Sequence, residues 1–230
     1  LLSTLDTGII NVALPFLQHQ FQSTTSITAL SVVGYTTSLA VLILPIGYLS
    51  DRIGKLKVSL VGLLMFGFGS VLCGLATNIV DLIIFRVIQG VGAAALQSTS
   101  AALITTLMDN DHIPRALGVL GIMIGLGPIL GPSIGGFFLA FNAWRLIFWI
   151  NIPFAILGLI CNQLLISQIH ENTTKRSFDF WGSLINAIMI ICLLAGFLLL
   201  SKTASFKFAI PLIVCGLVLG LFFYTFEFRL

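Results

Sequence analysis

Long stretches without a charged residue limit the fold of this chain more than any other feature. Between its Asp, Glu, Lys and Arg residues lie uncharged runs at 7–50, 58–80, 87–108, 116–144, 146–170, 180–201 and 208–226. A helix needs about 20 mostly apolar residues to cross a bilayer. The first run is too long for one crossing, and polar residues at 18–28 divide it in two. We therefore predict eight membrane-spanning helices, at about 1–17, 29–50, 57–77, 79–107, 115–140, 145–167, 179–200 and 207–227.

The composition supports an all-α integral membrane protein. The 230 residues are 58% hydrophobic and 8% charged, whereas soluble domains contain about 25% charged residues. The net charge of +3 does not indicate a nucleic-acid partner, because the cations lie at the predicted membrane borders. Membrane lipid is the expected surrounding.

The distribution of cations predicts the orientation. Short cytoplasmic loops are enriched in Lys and Arg, and a cytoplasmic N-terminus puts more cations inside than outside. The sequence therefore predicts a multi-pass protein of the plasma or inner membrane with its N-terminus in the cytoplasm. Under this topology the inner loops hold Arg52, Lys55, Lys57, Arg115, Lys175, Arg176 and Arg229, and the outer loops hold Arg145, Lys202 and Lys207.

The charged segment 47–57, GYLSDRIGKLK, is the expected turn between the second and third helices. Gly54 suits such a reversal because glycine adopts positive φ at little cost. The segment resembles the loop between helices 2 and 3 of major facilitator superfamily transporters, roughly G-x-L-x-D-R-x-G-R-K. The resemblance implies a cytoplasmic gate in which Asp51 and Arg52 latch against the C-terminal half of the protein. The matching gate residues are Gly47, Asp51, Arg52, Gly54 and Lys55.

Two opposite charges are predicted at similar depth in the membrane. Asp6 lies about 16 Å, and Arg86 about 10 Å, below the outer ends of their helices at 1.5 Å per residue. Ionisable residues at such depth are costly and commonly functional. Gln89 follows three residues after Arg86 and shares its helix face. We predict that Asp6, Arg86 and Gln89 couple proton and substrate. A purely structural acid at Asp6 and a snorkelling Arg86 are the alternatives.

The fifth predicted helix contains a stripe of small residues. Gly127, Gly131 and Gly135 recur every four residues, which allows close helix packing. The pattern G-x-x-x-G-P-x-x-G-G resembles the helix 5 motif of the antiporters in the superfamily. The resemblance implies that Gly127, Gly131, Pro132, Gly135 and Gly136 serve the conformational change. A role in packing alone is the alternative.

Two further stretches resemble the fourteen-helix drug:proton antiporters (the QacA/EmrB type). They are LDTGIINVALP at 5–15 and WRLIFWINIP at 144–153, although Gly8 stands where that family usually has Thr, so one hydroxyl near Asp6 is missing. The resemblance implies an N-terminal six-helix bundle at 1–167, a cytoplasmic loop at 168–178 and two linking helices at 179–230. We expect the C-terminal bundle to be missing from this fragment.

The resemblance implies export of hydrophobic or cationic drug-like small molecules in exchange for protons, with the C-terminal half as partner. An exporter of one metabolite, siderophore or lipid-like compound, and a non-transporting sensor or scaffold, are the alternatives. No enzyme, cofactor or metal site is predicted. His19, His112 and His170 fall on separate segments without metal-ligand spacing, and the four cysteines lie in apolar runs as small hydrophobic residues.

Overall fold

Every regular element in the described part of the chain is an α-helix. The computed structural model describes residues 1–168, 180–200 and 206–227. Six segments of this part are long and apolar enough to cross a membrane, among them Leu146–Ser167, which begins with one short helix and continues with the next. The helices are α1 Leu2–Gln20, α2 Thr25–Ile53, α3 Lys55–Leu75, α4 Ile79–Leu107, α5 Ile113–Ala140, α6 Leu146–Trp149, α7 Asn151–Gln168, α8 Phe180–Leu200 and α9 Phe206–Glu227.

The predicted helices are confirmed, with differences at their ends, and the helix predicted at 145–167 is divided at Ile150 into α6 and α7. The fourth helix has the predicted bounds, but α2 begins four residues earlier than predicted. The polar segment that suggested a long break is mostly helical, because its polar side chains cap the start of α2 and bond across the connection. Thr24 caps α2 by accepting a hydrogen bond from the backbone N–H of Ile27, and Thr25 bonds to Gln18 of α1. The loop predicted at 168–178 lies, apart from Gln168, outside the described residues.

α1 is not among the six segments that meet the membrane criterion. It is nevertheless one of the most enclosed helices, because the other helices surround its apolar face. Its polar content lowers its hydropathy. The polar residues along it include Asp6, Asn11, Gln18, His19 and Gln20.

α4 packs closely against α2 and α3 through small residues. A Cβ added at Gly90 would collide with Ser38 and with the carbonyl of Tyr35 on α2. On another face, a Cβ at Gly92 would meet the backbone of Gly62 and Phe66 on α3. The absence of side chains at these points brings the backbones together, as expected for small residues at membrane helix interfaces.

α5 crosses α1 at the predicted glycine stripe. A Cβ at Gly131 would lie 2.6 Å from Gly8 of α1, and one at Gly8 would lie 2.8 Å from the Gly127 carbonyl oxygen. Gly135 approaches Ile9 in the same way. Gly136 does not belong to this contact, since a Cβ there would meet nothing within 4 Å. The crossing is therefore a contact of backbone on backbone.

α8 and α9 form a pair that also uses glycine. Gly216 of α9 contacts Leu193, and Gly220 approaches the sulfur of Met189. Gly196 of α8 is covered by Ile213 in return. α8 in addition packs against α2. The pair of predicted linking helices is thus attached to the bundle through the contact of α8 with α2.

The turn between α2 and α3 requires glycine. Gly54 ends α2 and begins α3 with φ 109°, the positive value expected from the sequence. We predict that Gly54→Ala lowers the free energy of unfolding by about 1–3 kcal/mol, because alanine is strained at this φ. Thermal unfolding of the full-length protein in detergent measures the loss. Gly118→Ala is the matched control, since Gly118 is helical with open space around it. Equal midpoints for the two variants would contradict the prediction.

Candidate functional site

A buried ion pair joins the two helices that carry the predicted membrane charges. Arg86 of α4 donates a hydrogen bond from Nη1 to Asp6 Oδ2 of α1 at 2.5 Å. The side chains are 0% and 2% exposed. The predicted overlap in depth therefore becomes a direct contact. An ion pair buried from solvent is held by its own hydrogen bonds, and removing one partner leaves an uncompensated buried charge.

The second carboxylate oxygen of Asp6 accepts hydrogen bonds from two amides. Gln89 Nε2 lies 3.2 Å and Asn151 Nδ2 lies 2.8 Å from Asp6 Oδ1. Both donors are fully buried. Asp6 therefore has hydrogen-bond donors at both oxygens even though Gly8 provides no hydroxyl. The lack of a side chain at Gly8 instead allows the close approach of α5.

Gln89 is fixed at both ends of its amide. Its Oε1 accepts a hydrogen bond from Arg86 Nη1 at 2.8 Å, and Cys73 Sγ lies 3.6 Å from the same oxygen. Its Nε2 donates to Ser70 Oγ of α3 at 2.8 Å as well as to Asp6. The amide can bond its neighbours in only one orientation, because turning it over would place its NH₂ group against the Arg86 donor.

α2 covers the guanidinium of Arg86. The centroid of the Tyr35 ring lies 4.2 Å from Arg86 Cζ, within the range of a cation–π contact. Arg86 Nε also donates to the carbonyl oxygen of Ser31 at 3.5 Å. From the α6 side, the Phe148 ring lies 6.0 Å away. The cation is therefore held by an aromatic face as well as by a carboxylate.

Two polar atoms around Asp6 have no hydrogen-bond partner among the residues that the structure describes. They are Arg86 Nη2, a donor, and Asn151 Oδ1, an acceptor. Buried polar atoms normally find partners, and each exception calls for an explanation, a functional role among them. The cluster thus has unused bonding capacity on either side of the carboxylate.

The structure brings together the predicted residues Asp6, Arg86 and Gln89 and adds others that the sequence did not single out. Asn151 had a signal, as an amide within an apolar run and within the motif at 144–153. The other additions look like ordinary small or aromatic residues of their helices. They are Ser31, Tyr35, Ser70 and Cys73.

Of the other two predicted sets, the glycine stripe crosses α1 beside Asp6 and the charged loop lies far from the ion pair. The glycine stripe meets α1 at Leu5 and Gly8, on either side of Asp6 in the sequence. Asp51 lies sixteen residues beyond Tyr35 along α2, or about 24 Å at 1.5 Å per residue. There Asp51 pairs with Lys55 at 3.2 Å, and Arg52 is exposed. Gly47, one helical turn earlier, faces Ser98 of α4.

Among residues 1–168, 180–200 and 206–227, no three His, Cys, Asp or Glu side chains are grouped so as to hold a metal ion. The chemistry that the described cluster offers is the gain and loss of a proton at a carboxylate whose counter-ion stays charged.

A bundle of membrane-length helices around a buried ion pair is consistent with a membrane transport protein. The sequence profile of the Major Facilitator Superfamily matches residues 1–226, and the chain belongs to that superfamily, which consists of transporters and not of enzymes.

The chain is 32% identical over 187 residues to proteins named "Putative multidrug resistance protein MdtD" from Yersinia pestis (strain Pestoides F) and Yersinia pseudotuberculosis serotype O:1b (strain IP 31758). These matches cover 81% of the chain but 40% of each relative, so the chain spans less than half the length of these curated relatives.

The fold resembles a solved transporter. The crystal structure of a bacterial homolog to human lysosomal transporter, Spinster, in inward-facing and occupied conformation, matches with a TM-score of 0.59 and 16% identity. The match covers 88% of this chain and 59% of that one.

Proposed function

We propose that the full-length protein is a proton-coupled antiporter of the fourteen-helix family that exports hydrophobic or cationic drug-like compounds. The 32% identical relatives named as multidrug resistance proteins support this class of substrate. The packed pair α8 and α9, which follows the bundle of α1 to α7, agrees with the fourteen-helix arrangement. Transport would proceed by alternating access between two halves.

The observation that carries the proposal is the buried pair of Asp6 and Arg86. A carboxylate in the membrane interior is costly unless it is paired or used. When Asp6 takes up a proton, it loses its charge and Arg86 loses its ionic partner. Protonation therefore changes the balance of interactions among α1, α4 and the helices around them.

The glycine stripe connects α1, which carries Asp6, directly to α5. Gly131 contacts the backbone of α1 at Gly8, two residues after Asp6, so a shift of α1 displaces the contacting part of α5. Backbone contacts without interlocking side chains allow the two helices to move along one another. We propose that the motif of Gly127, Gly131, Pro132, Gly135 and Gly136 serves this movement, with Gly127, Gly131 and Gly135 at the contact and Gly136 outside it.

The charged turn between α2 and α3 would couple this movement to the C-terminal half of the protein. Asp51 is 47% exposed although it pairs with Lys55, and Arg52 is exposed beside it. Both side chains are accessible to a partner surface. We propose that they form the cytoplasmic latch, with Gly47, Gly54 and Lys55 shaping the turn.

Efflux of a fluorescent lipophilic cation from cells containing the full-length protein tests the proposal. We expect a protonophore to abolish efflux from wild type, because the proton gradient drives it. We expect Asp6→Asn to reduce efflux to the level of cells without the protein, because an amide cannot exchange a proton at this site.

Asp109→Asn is the matched control, since Asp109 is an exposed carboxylate outside the helices, and we expect it to retain wild-type efflux. Full activity of Asp6→Asn would contradict the role of this carboxylate. If wild type moves a metabolite, siderophore or lipid-like compound but no lipophilic cation, the drug-export assignment is wrong and a narrower exporter replaces it.

A further inference from the structure

Protonation of Asp6 raises a hydrogen-bonding problem inside the cluster. Oδ2 faces Arg86, whose guanidinium has donors only, so a proton there would have no acceptor. Oδ1 faces the amides of Gln89 and Asn151, each of which also carries an acceptor oxygen. The added proton is therefore best accommodated on Oδ1, provided that one of the two amides turns its oxygen toward it.

Gln89 cannot turn without losing bonds. Its oxygen accepts from Arg86 Nη1 and its nitrogen donates to Ser70, and both bonds would be broken or reversed. Asn151 is in the opposite situation, because its Oδ1 is buried and has no partner. A half-turn of its amide costs only the bond to Asp6, and that is the bond that protonation itself removes.

We propose that Asn151 is the positioning residue that registers the proton on Asp6, by turning its side-chain amide over. In the ionised state Asn151 Nδ2 donates to Asp6 Oδ1, as the structure shows. In the protonated state an O–H bond forms at Asp6 Oδ1, the charge of Asp6 becomes zero, and this O–H donates to Asn151 Oδ1. Each state leaves one amide atom of Asn151 without a partner, so neither orientation is fixed in advance. This role rests on the proposed proton coupling at Asp6.

The surroundings of Asp6 contain no better candidate among the described side chains. The ionisable groups nearest to the carboxylate are Arg86 of α4, Tyr35 of α2 and Cys73 of α3. The face of α5 that meets α1 presents glycine backbone. Asn151 is also the first residue of α7, directly after the short α6. A turn of its amide therefore acts at the point where these two helices meet.

Infrared difference spectroscopy of the purified full-length protein tests the turn without any transport. On lowering the pH, we expect wild type to show a carboxylic-acid band of Asp6 together with a change in a side-chain amide carbonyl band. Asp6→Asn should remove both signals. Asn151→Ser should keep the carboxylic-acid band and lose the amide change. A carboxylic-acid band without any amide change, or an amide change that survives in Asn151→Ser, would overturn the proposal.

The pH profile of efflux distinguishes a turning amide from a plain donor. In Asn151→Leu, ionised Asp6 loses one of its three donors and protonated Asp6 loses its acceptor, so each form loses one hydrogen bond. We therefore expect the proton concentration at half-maximal efflux to stay within about threefold of wild type, and Asn151→Ser, which both donates and accepts, to remain near wild type. A plain donor stabilises only the ionised form, so its loss would lower the proton concentration at half-maximal efflux about tenfold.

Asn162→Leu is the matched control for the pH profile. Asn162 is also on α7, is buried and has an unpartnered Oδ1, but it makes no bond to Asp6. We expect its profile to match wild type. A shift of the Asn151→Leu profile by about tenfold toward lower proton concentration would overturn the proposal. If no cation is exported at all, the proposed function fails, and the infrared experiment still decides the role of Asn151.

Discussion

Removing both charges of the buried pair is expected to restore most of the stability that removing one of them costs. Asp6→Asn leaves Arg86 with a charge that it cannot lose, and we expect a loss of roughly 3–5 kcal/mol in the free energy of unfolding. In Asp6→Asn/Arg86→Met no buried charge is left, so we expect at least half of this loss to be recovered. Denaturation of the full-length variants in detergent, analysed as a double-mutant cycle, measures the coupling.

The surface pair of Asp51 and Lys55 provides the control for this cycle. It has the same charges four residues apart, but Asp51 is 47% exposed. For Asp51→Asn and Lys55→Met we expect a coupling of about 0.5 kcal/mol or less. Equal coupling in the two cycles would contradict the view that burial sets the strength of the Asp6–Arg86 pair. The neutral double variant also gives a folded protein in which to confirm that efflux needs the Asp6–Arg86 pair.

Gly131→Ala is expected to separate α1 from α5 and to stop transport. The new methyl group would lie 2.6 Å from the backbone of Gly8 and 2.7 Å from the nitrogen of Ile9. Backbone atoms cannot turn away as a side chain can, so we expect a loss of about 1–3 kcal/mol in the free energy of unfolding. Because the crossing lies beside Asp6, we also expect the efflux of a lipophilic cation to fall to background. Thermal unfolding and efflux of the same variant measure the two effects.

Gly125→Ala is the matched control on the same helix. A Cβ at Gly125 would meet nothing within 4 Å, so alanine should be neutral or should stabilise α5 by up to about 1 kcal/mol. If both variants behave alike, the contact between α1 and α5 is not what limits substitution at Gly131.

The helices could be predicted because charge-free runs depend only on composition along the chain. The bounds predicted for the fourth helix agree with the structure, in which Asn78 caps its start. The start of α2 was missed, because hydropathy does not show that Thr24 caps the helix, or that Thr25 and Ser23 bond to the side chains of Gln18 and Thr28. Polar residues in a short connection look the same in the sequence whether they break a helix or cap it.

The part of the site that depends only on the depth of residues in the membrane could be predicted from the sequence. Residue counting placed Asp6 and Arg86 at similar depth, and the helix repeat placed Gln89 on the face of Arg86. Depth does not give the rotation of one helix against another, so Tyr35 and Ser70 were not predicted as neighbours. Rotation also separates Gly136 from the contact that Gly135 makes. Asn151 was visible as a motif residue, but its distance of 2.8 Å from Asp6 depends on the packing of α7.

The separation of the ion pair along the chain has a consequence for biogenesis. Asp6 and Arg86 are 80 residues apart, and synthesis from the N-terminus brings α1 to the bilayer before α4 exists. An unpaired acid in a membrane helix costs up to about 2.5–3.5 kcal/mol during translocon-mediated insertion, the full cost applying at the helix centre. We therefore expect α1 to stay beside the insertion machinery until α4, which carries Arg86, has been made. A single ion pair then sets the order in which newly made helices are released into lipid.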